Sequence, residues 1–153
     1  MSKPAKVLYY IQPNGTNIKM PVHETDAPFI PPFKGGFTAW KIGYSGFSEC
    51  LIELYIPADA LWLIGIHNSY PGFYEFNSGY KCRASKAKVV TILNLDTNKY
   101  IKKATTAGYG SLTTYKVGKV VKPNSFNKNW NKVCTNGIHF FMNKKQALNW
   151  VYR

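Results

Sequence analysis

The sequence predicts an α+β fold: mainly antiparallel strands with a few short helices, a C-terminal strand–helix unit and an extended Pro-rich N-terminal arm. Short runs of β-branched and aromatic residues with a period of two recur along the chain. They are separated by Gly, Pro and Asn clusters too short to hold crossover helices, which excludes a parallel doubly wound sheet. A single stretch, at the C-terminus, combines a helix cap with an apolar stripe of helical period. Residues 1–36 are read as the strand and arm, and residues 37–153 as one compact domain.

Lys6 to Gln12 (KVLYYIQ) reads as a strand, and Pro13-Asn14-Gly15 as a turn. From Pro21 to Gly36, four prolines exclude a regular helix or a central strand, so this stretch is the arm. Phe29, Ile30 and Phe33 give the arm side chains to bury, against its own domain or a neighbouring subunit. Strands begin at Phe37. Cys50, Ile52, Leu54 and Ile56 alternate onto one strand face and Glu53 onto the other, and Pro57 opens a turn of helix over Ala58-Asp59-Ala60. Residues 65–80 form an aromatic loop or hairpin whose Tyr70, Phe73, Tyr74 and Phe76 pack inward or make a sticky surface.

Lys86 to Leu95 (KAKVVTILNL) reads as a buried strand. Asp96 to Thr105 reads as a short helix capped by Asp96, and Thr114 to Val121 as a further strand ended by Pro123. Gly137 to Met142 (GIHFFM) is the last strand. In the closing helix Asn143 is the cap, Gln146 takes the capping-box position, and Ala147, Leu148, Val151 and Tyr152 make the apolar stripe.

Charge is distributed unevenly. The formal net charge is +13, yet residues 97–153 carry ten Lys and Arg153 against no Asp or Glu. Such a region attracts polyanions or acidic protein surfaces, and it lacks the carboxylates that most acid/base and metal sites require. Lys outnumbers Arg eighteen to two. Specific readout of phosphates and bases leans on Arg, and no helix-turn-helix, RNP-type or zinc-finger spacing occurs, so nucleic acid is at most a nonspecific partner. An aromatic groove of that kind would draw on Lys116, Lys119, Lys122, Lys128 and Lys132 with Tyr115, Phe126 and Trp130.

Cys50, Cys82 and Cys134 include no CxxC pair and read as reduced thiols. No metal site is expected from them or from His23, His67 and His139. No nucleophile elbow, P-loop or dinucleotide fingerprint is present. No apolar stretch is long enough to span a bilayer, and the N-terminus lacks a secretory signal region, so the chain is expected to be soluble and not secreted.

Two basic sites stand out. Lys144 and Lys145 in the first turn of the last helix oppose its dipole by roughly a few tenths of a kcal/mol each, unless an anion sits there. In the run Lys81 to Lys88, Arg83 is the residue whose fork suits a phosphate or carboxylate, or alternatively ties loops together through backbone carbonyls.

The blocks LIELYIPADA (Leu51 to Ala60), YKCRASKAKVVTI (Tyr80 to Ile92), YKVGKVVKPNSF (Tyr115 to Phe126) and CTNGIHFFMNKKQAL (Cys134 to Leu148) resemble an uncharacterised domain of large DNA viruses, often joined to pentapeptide repeats. The resemblance covers roughly residues 38–151 and implies no assigned chemistry. The chain lacks the repeats and carries its own arm and loop, which suggests a stand-alone role. More locally, GIHFFMNKKQALNW looks like the strand-then-helix element of ADP-ribosyltransferases, implying an NAD pocket around His139. Those enzymes need an acidic or amide residue on a later strand, which this chain does not offer.

The expectation is therefore a non-enzymatic structural protein of a large DNA virus, a minor capsid component without a cofactor. Arg83, Lys116, Lys119, Lys122, Lys144 and Lys145 would meet an acidic coat-protein surface. Phe29, Phe33, Tyr70 and Phe73 would supply contacts from arm and loop. Nonspecific nucleic acid or an anionic membrane surface is the alternative partner, an ADP-ribosyltransferase-like enzyme the alternative activity. The expected location is the virion, and the host cytoplasm during assembly.

Overall fold

The computed structural model describes residues 6–11, 17–22, 33–64, 81–108, 111–126 and 136–149. Strand β1 (Lys6–Ile11) pairs antiparallel with β2 (Asn17–Val22), from Lys6 opposite Val22 to Ile11 opposite Asn17. Pro21 thus lies in a two-stranded sheet, where both strands are edges and a missing N–H is tolerated. Strand β3 (Phe33–Lys34) closes the stretch read as arm and pairs with β6 (Leu61–Ile64).

The longest hairpin joins β4 (Phe37–Ser45) to β5 (Ser48–Ile56) through Gly46 and Phe47. Gly46 has φ +60°, the glycine-favoured conformation that a two-residue hairpin needs at its first loop position. Strands β7 (Cys82–Ala84), β8 (Ala87–Asn94), β9 (Lys99–Ile101), β10 (Lys103–Gly108), β11 (Ser111–Lys116), β12 (Val120–Val121) and β13 (Ile138–Phe140) follow, then helix α1 (Lys144–Asn149).

The larger sheet runs β11-β10-β4-β5-β8-β12, with β9 also on β8; the smaller runs β13-β7-β6-β3. The ends of the larger path, β11 and β12, are separated in sequence only by residues 117–119. That segment reaches about 14 Å at most, so the sheet must curl back on itself. Val89 completes the turn, accepting from Gly118 N (2.8 Å) and donating to Lys119 O (3.0 Å). The result is a half-barrel.

Its inward face carries Cys50, Ile52, Leu54 and Ile56, as their alternation in the sequence requires, with Ala39, Val89, Ile92, Ala104 and Tyr115. The smaller sheet adds Trp62, Leu63, Cys82, Ile138 and Phe140 to the same core. On the opposite face of β4 and β5, Leu51 packs with Phe141 and Ala147 against Trp40, Ile42 and Leu93. Trp40 and Phe141 exchange two backbone hydrogen bonds (2.9 and 2.7 Å), which fastens the β13–α1 unit to β4.

The fold is thus essentially all-β, which corrects the α+β expectation. Residues 58–60 form a turn closed by Ala60 N donating to Pro57 O, with no helix. Residues 96–105 are likewise not helical. Asn94, two residues before the expected cap, uses Oδ1 to accept from Asp96 N (2.9 Å) and Thr97 N (3.2 Å), making an Asx turn that sends the chain back as β9. Ile101 then pairs with Ile92, and cross-strand packing overrides the helix start. The strand expected over 114–121 is two, divided by a turn at Gly118 (φ +85°). The one helix among the described residues has the expected cap, Gln146 N donating to Asn143 Oδ1 at 2.9 Å. Gln146 Oε1 is buried without a partner, so the reciprocal half of the capping box is not made.

Candidate functional site

Ala104 and Tyr115 are opposite one another and face inward, so the residues beside them, Lys103 and Lys116, face outward as a directly opposed pair. Like charges in that position repel. Two further lysines are drawn in by the backbone: Val117 N donates to Lys102 O and Lys119 N to Lys116 O, each at 3.0 Å. All four side chains are exposed, and among the described residues none is paired with a carboxylate. The β10–β11 end of the half-barrel therefore concentrates positive charge at a cost to the fold.

The six expected anion-binding residues do not form one site. Lys116 and Lys119 belong to the cluster just described. Lys122 is exposed after β12 and acts elsewhere: the bond from Lys86 holds the Asp59 carboxyl below its usual range, and the charge of Lys122 adds a smaller effect. Lys144 and Lys145 are exposed at the start of α1, with Lys144 Nζ 4.8 Å from the Trp40 ring centroid.

Arg83 is wholly buried. Its position on β7, opposite both Leu63 and His139, puts its side chain on the sheet face they share, the reverse of the one that carries Cys82, Ala84, Ile138 and Phe140. There Nη1 donates to Asn136 O (3.0 Å) and the guanidinium lies 5.7 Å from the Phe126 ring centroid. It ties a loop carbonyl to β7, as in the second of the two roles the sequence left open. Gly137 makes room for it, since a Cβ there would come within 3.0 Å of Arg83 Cβ.

Three functional features were missed from sequence. Lys102 and Lys103 were hidden by the helix read over 96–105, although the β-branched Ile101, Thr105 and Thr106 signal strands. Phe47 is fully exposed at the β4–β5 tip. Lys41 is buried inside the half-barrel, where Nζ donates to Tyr115 Oη at 2.7 Å and lies 4.7 Å from that ring's centroid. Its alternation with Ala39 and Gly43 on β4 was the available signal.

Of the contact residues expected in arm and loop, Phe29, Tyr70 and Phe73 lie outside the described residues, as does the side chain of Phe33. The same holds for Cys134, Lys128, Trp130 and Lys132. Burial pushes the Cys82 thiol up, and desolvation likewise raises that of Cys50, so both are held as inert thiols. Among the described residues no three His, Cys, Asp or Glu side chains gather as a metal site, and no helix is long and apolar enough to cross a membrane.

Residues 27–147 match the model of a family described as being of unknown function (DUF5758). The chain is also 35% identical over 104 residues, 67% of its length, to the uncharacterized protein L223 of Acanthamoeba polyphaga mimivirus. The match spans 62% of that relative. No solved structure matches the chain.

Proposed function

The chain belongs to this family of unknown function and is similar to a protein of a large DNA virus, and from that premise we propose that it is a non-enzymatic interaction protein of the virion. In this reading it is a minor capsid component, bridging coat-protein subunits through its lysine surface and through residues 1–36 as an arm. It acts in the virion, and in the host cytoplasm during assembly.

The observation that carries the reading is the opposed pair Lys103 and Lys116, with Lys102 and Lys119 beside it. A fold that accepts repulsion on an exposed sheet, with no carboxylate among the described residues paired to these lysines, gains when an acidic surface is laid against it. Lysines are point charges that suit broad complementarity, whereas base or phosphate readout leans on the guanidinium fork. Of the two arginines, Arg83 is buried and donates to a backbone carbonyl.

The test is co-purification. Wild-type chain is expected in purified particles and to be released by salt, since exposed charge pairs are screened. Lys103→Glu/Lys116→Glu should be depleted from particles while its cellular level is unchanged. Finding the wild-type chain only in the soluble fraction of infected cells would sink the proposal.

A further inference from the structure

Phe47 is fully exposed, and its neighbours Ser45, Gly46 and Ser48 are too small to shield it. It stands on a two-residue turn clamped by the Ser45–Ser48 pair, so the backbone that carries it is set before any partner arrives. Its place relative to the lysines follows from strand register. Thr105 of β10 lies opposite Tyr44 of β4. Continuing that antiparallel register by two residues brings Lys103 level with Gly46, one residue from Phe47. A water-exposed ring on a paired hairpin thus stands at the rim of the lysine cluster.

We propose that Phe47 is the apolar anchor of the lysine surface, and that the surface takes an acidic protein segment carrying apolar side chains among its carboxylates. This rests on reading the lysine cluster as a site for an acidic protein. Interfaces draw most of their energy from a few central aromatic anchors, with charges around them setting orientation and encounter rate. The hairpin backbone under the ring is already paired, so binding orders the side chain alone.

The same end of the half-barrel argues against an anionic bilayer or a phosphate backbone as occupant. Leu95 N donates to Glu49 O at 2.9 Å, which sets the turn after β8 beside the start of β5. The carboxylates of Glu49 and Asp96 therefore flank this end, where a continuous sheet of lipid phosphates would be repelled. A protein segment can place its own charges to avoid them.

The experiment compares binding of the full chain to poly-L-glutamate and to a glutamate–tyrosine copolymer of equal length at fixed ionic strength. Wild type should prefer the copolymer by about tenfold. Phe47→Ser should erase that preference and leave poly-L-glutamate binding within about twofold, because the ring adds contact and no charge. Lys103→Glu/Lys116→Glu should weaken binding to both. A Phe47→Ser chain that keeps the copolymer preference overturns the anchor while the lysine reading stands. A charge-reversed chain that binds poly-L-glutamate as well as wild type overturns the lysine reading itself. Phe47-dependent binding to phosphatidylserine–phosphatidylcholine vesicles that exceeds copolymer binding overturns the protein segment in favour of a lipid surface.

Discussion

The lysine inside the half-barrel offers the sharpest test of how this core is balanced. Lys41 is only 8% exposed, and the hydrogen bond it makes goes to a phenol that is itself 1% exposed. A hydrogen bond involving a charged group contributes about 1.5–3 kcal/mol net. Removing one partner of a buried ion costs more, because the charge remains without compensation. Tyr115→Phe leaves the ammonium in that position and should therefore destabilise the fold by about 3 kcal/mol. Lys41→Met removes the charge at similar volume but strands the Tyr115 hydroxyl, a cost of about 1–3 kcal/mol set against the relief of several kcal/mol of ion desolvation. The double substitution strands nothing. It should be at least as stable as wild type, and more stable than Tyr115→Phe alone by 2 kcal/mol or more, on the order seen when buried ions are replaced by apolar side chains.

Urea unfolding of the four chains measures this cycle, with unchanged slopes confirming that the unfolded states are comparable. In a chain of this length the single Tyr115→Phe change corresponds to a fall of roughly 6–12 °C in Tm. Two outcomes refute the reasoning. One is a Tyr115→Phe chain within about 1 kcal/mol of wild type, which would mean that the ammonium does not depend on the phenol. The other is a double variant no more stable than Tyr115→Phe, which would mean that the charge itself carries no cost.

Other outcomes follow from single features. Lys103→Glu replaces a repulsive cross-strand pair by an attractive one, so it should raise stability by about 0.2–1 kcal/mol in chemical denaturation while lowering affinity for poly-L-glutamate. Asn143→Ala removes the cap of α1 and should cost about 0.5–2 kcal/mol, read as a loss in Tm and as faster amide exchange at Gln146. Gly118→Ala forces a side chain into φ +85° and should destabilise by about 1 kcal/mol or more in spite of the open space around it. Burial holds the proton on Cys82 more tightly in the folded chain than in the unfolded one, whose thiol titrates near 9.0. This contribution is complete below that pH and is lost as pH rises above it, so unfolding should become easier in alkali, and less steeply so in Cys82→Ala.

What the sequence disclosed and what it concealed divide along a physical line. The face of β5 and the cap at Asn143 were legible, because each depends on residues within a few positions of one another. The helix expected after Asp96 failed because Asn94, two residues earlier, had already taken the backbone donors, and pairing with β8 settled the rest. The opposition of Lys103 and Lys116 needs the register of β10 and β11, and the level of Phe47 needs that of β10 and β4. Neither register is written in a local pattern, since each is fixed by which face is buried. Arg83 illustrates the same limit: the basic run left open an anion-binding fork or a tie to loop carbonyls, and the buried guanidinium that donates to Asn136 O is seen only once β7 is placed between β6 and β13.

The absence of Asp and Glu after Asp96 links the outer lysines to the inner one. Strands β9 to β13 and α1 are all drawn from that stretch, and they supply the hydrogen-bond partner of Lys41 and the cross-strand neighbour of Lys116. On the outer face these elements have no carboxylate to set between Lys103 and Lys116, so the repulsion stays available to a partner. On the inner face they have none to offer Lys41, and the strongest acceptor β11 can bring to it is the hydroxyl of Tyr115. One compositional bias therefore has opposite consequences on the two sides of one sheet: outside it makes the surface proposed to take an acidic partner, and inside it makes a charge that a phenol restrains. If the bias is maintained for the surface, the interior cost is its by-product, and the double substitution at Lys41 and Tyr115 should stabilise the chain without altering its affinity for poly-L-glutamate.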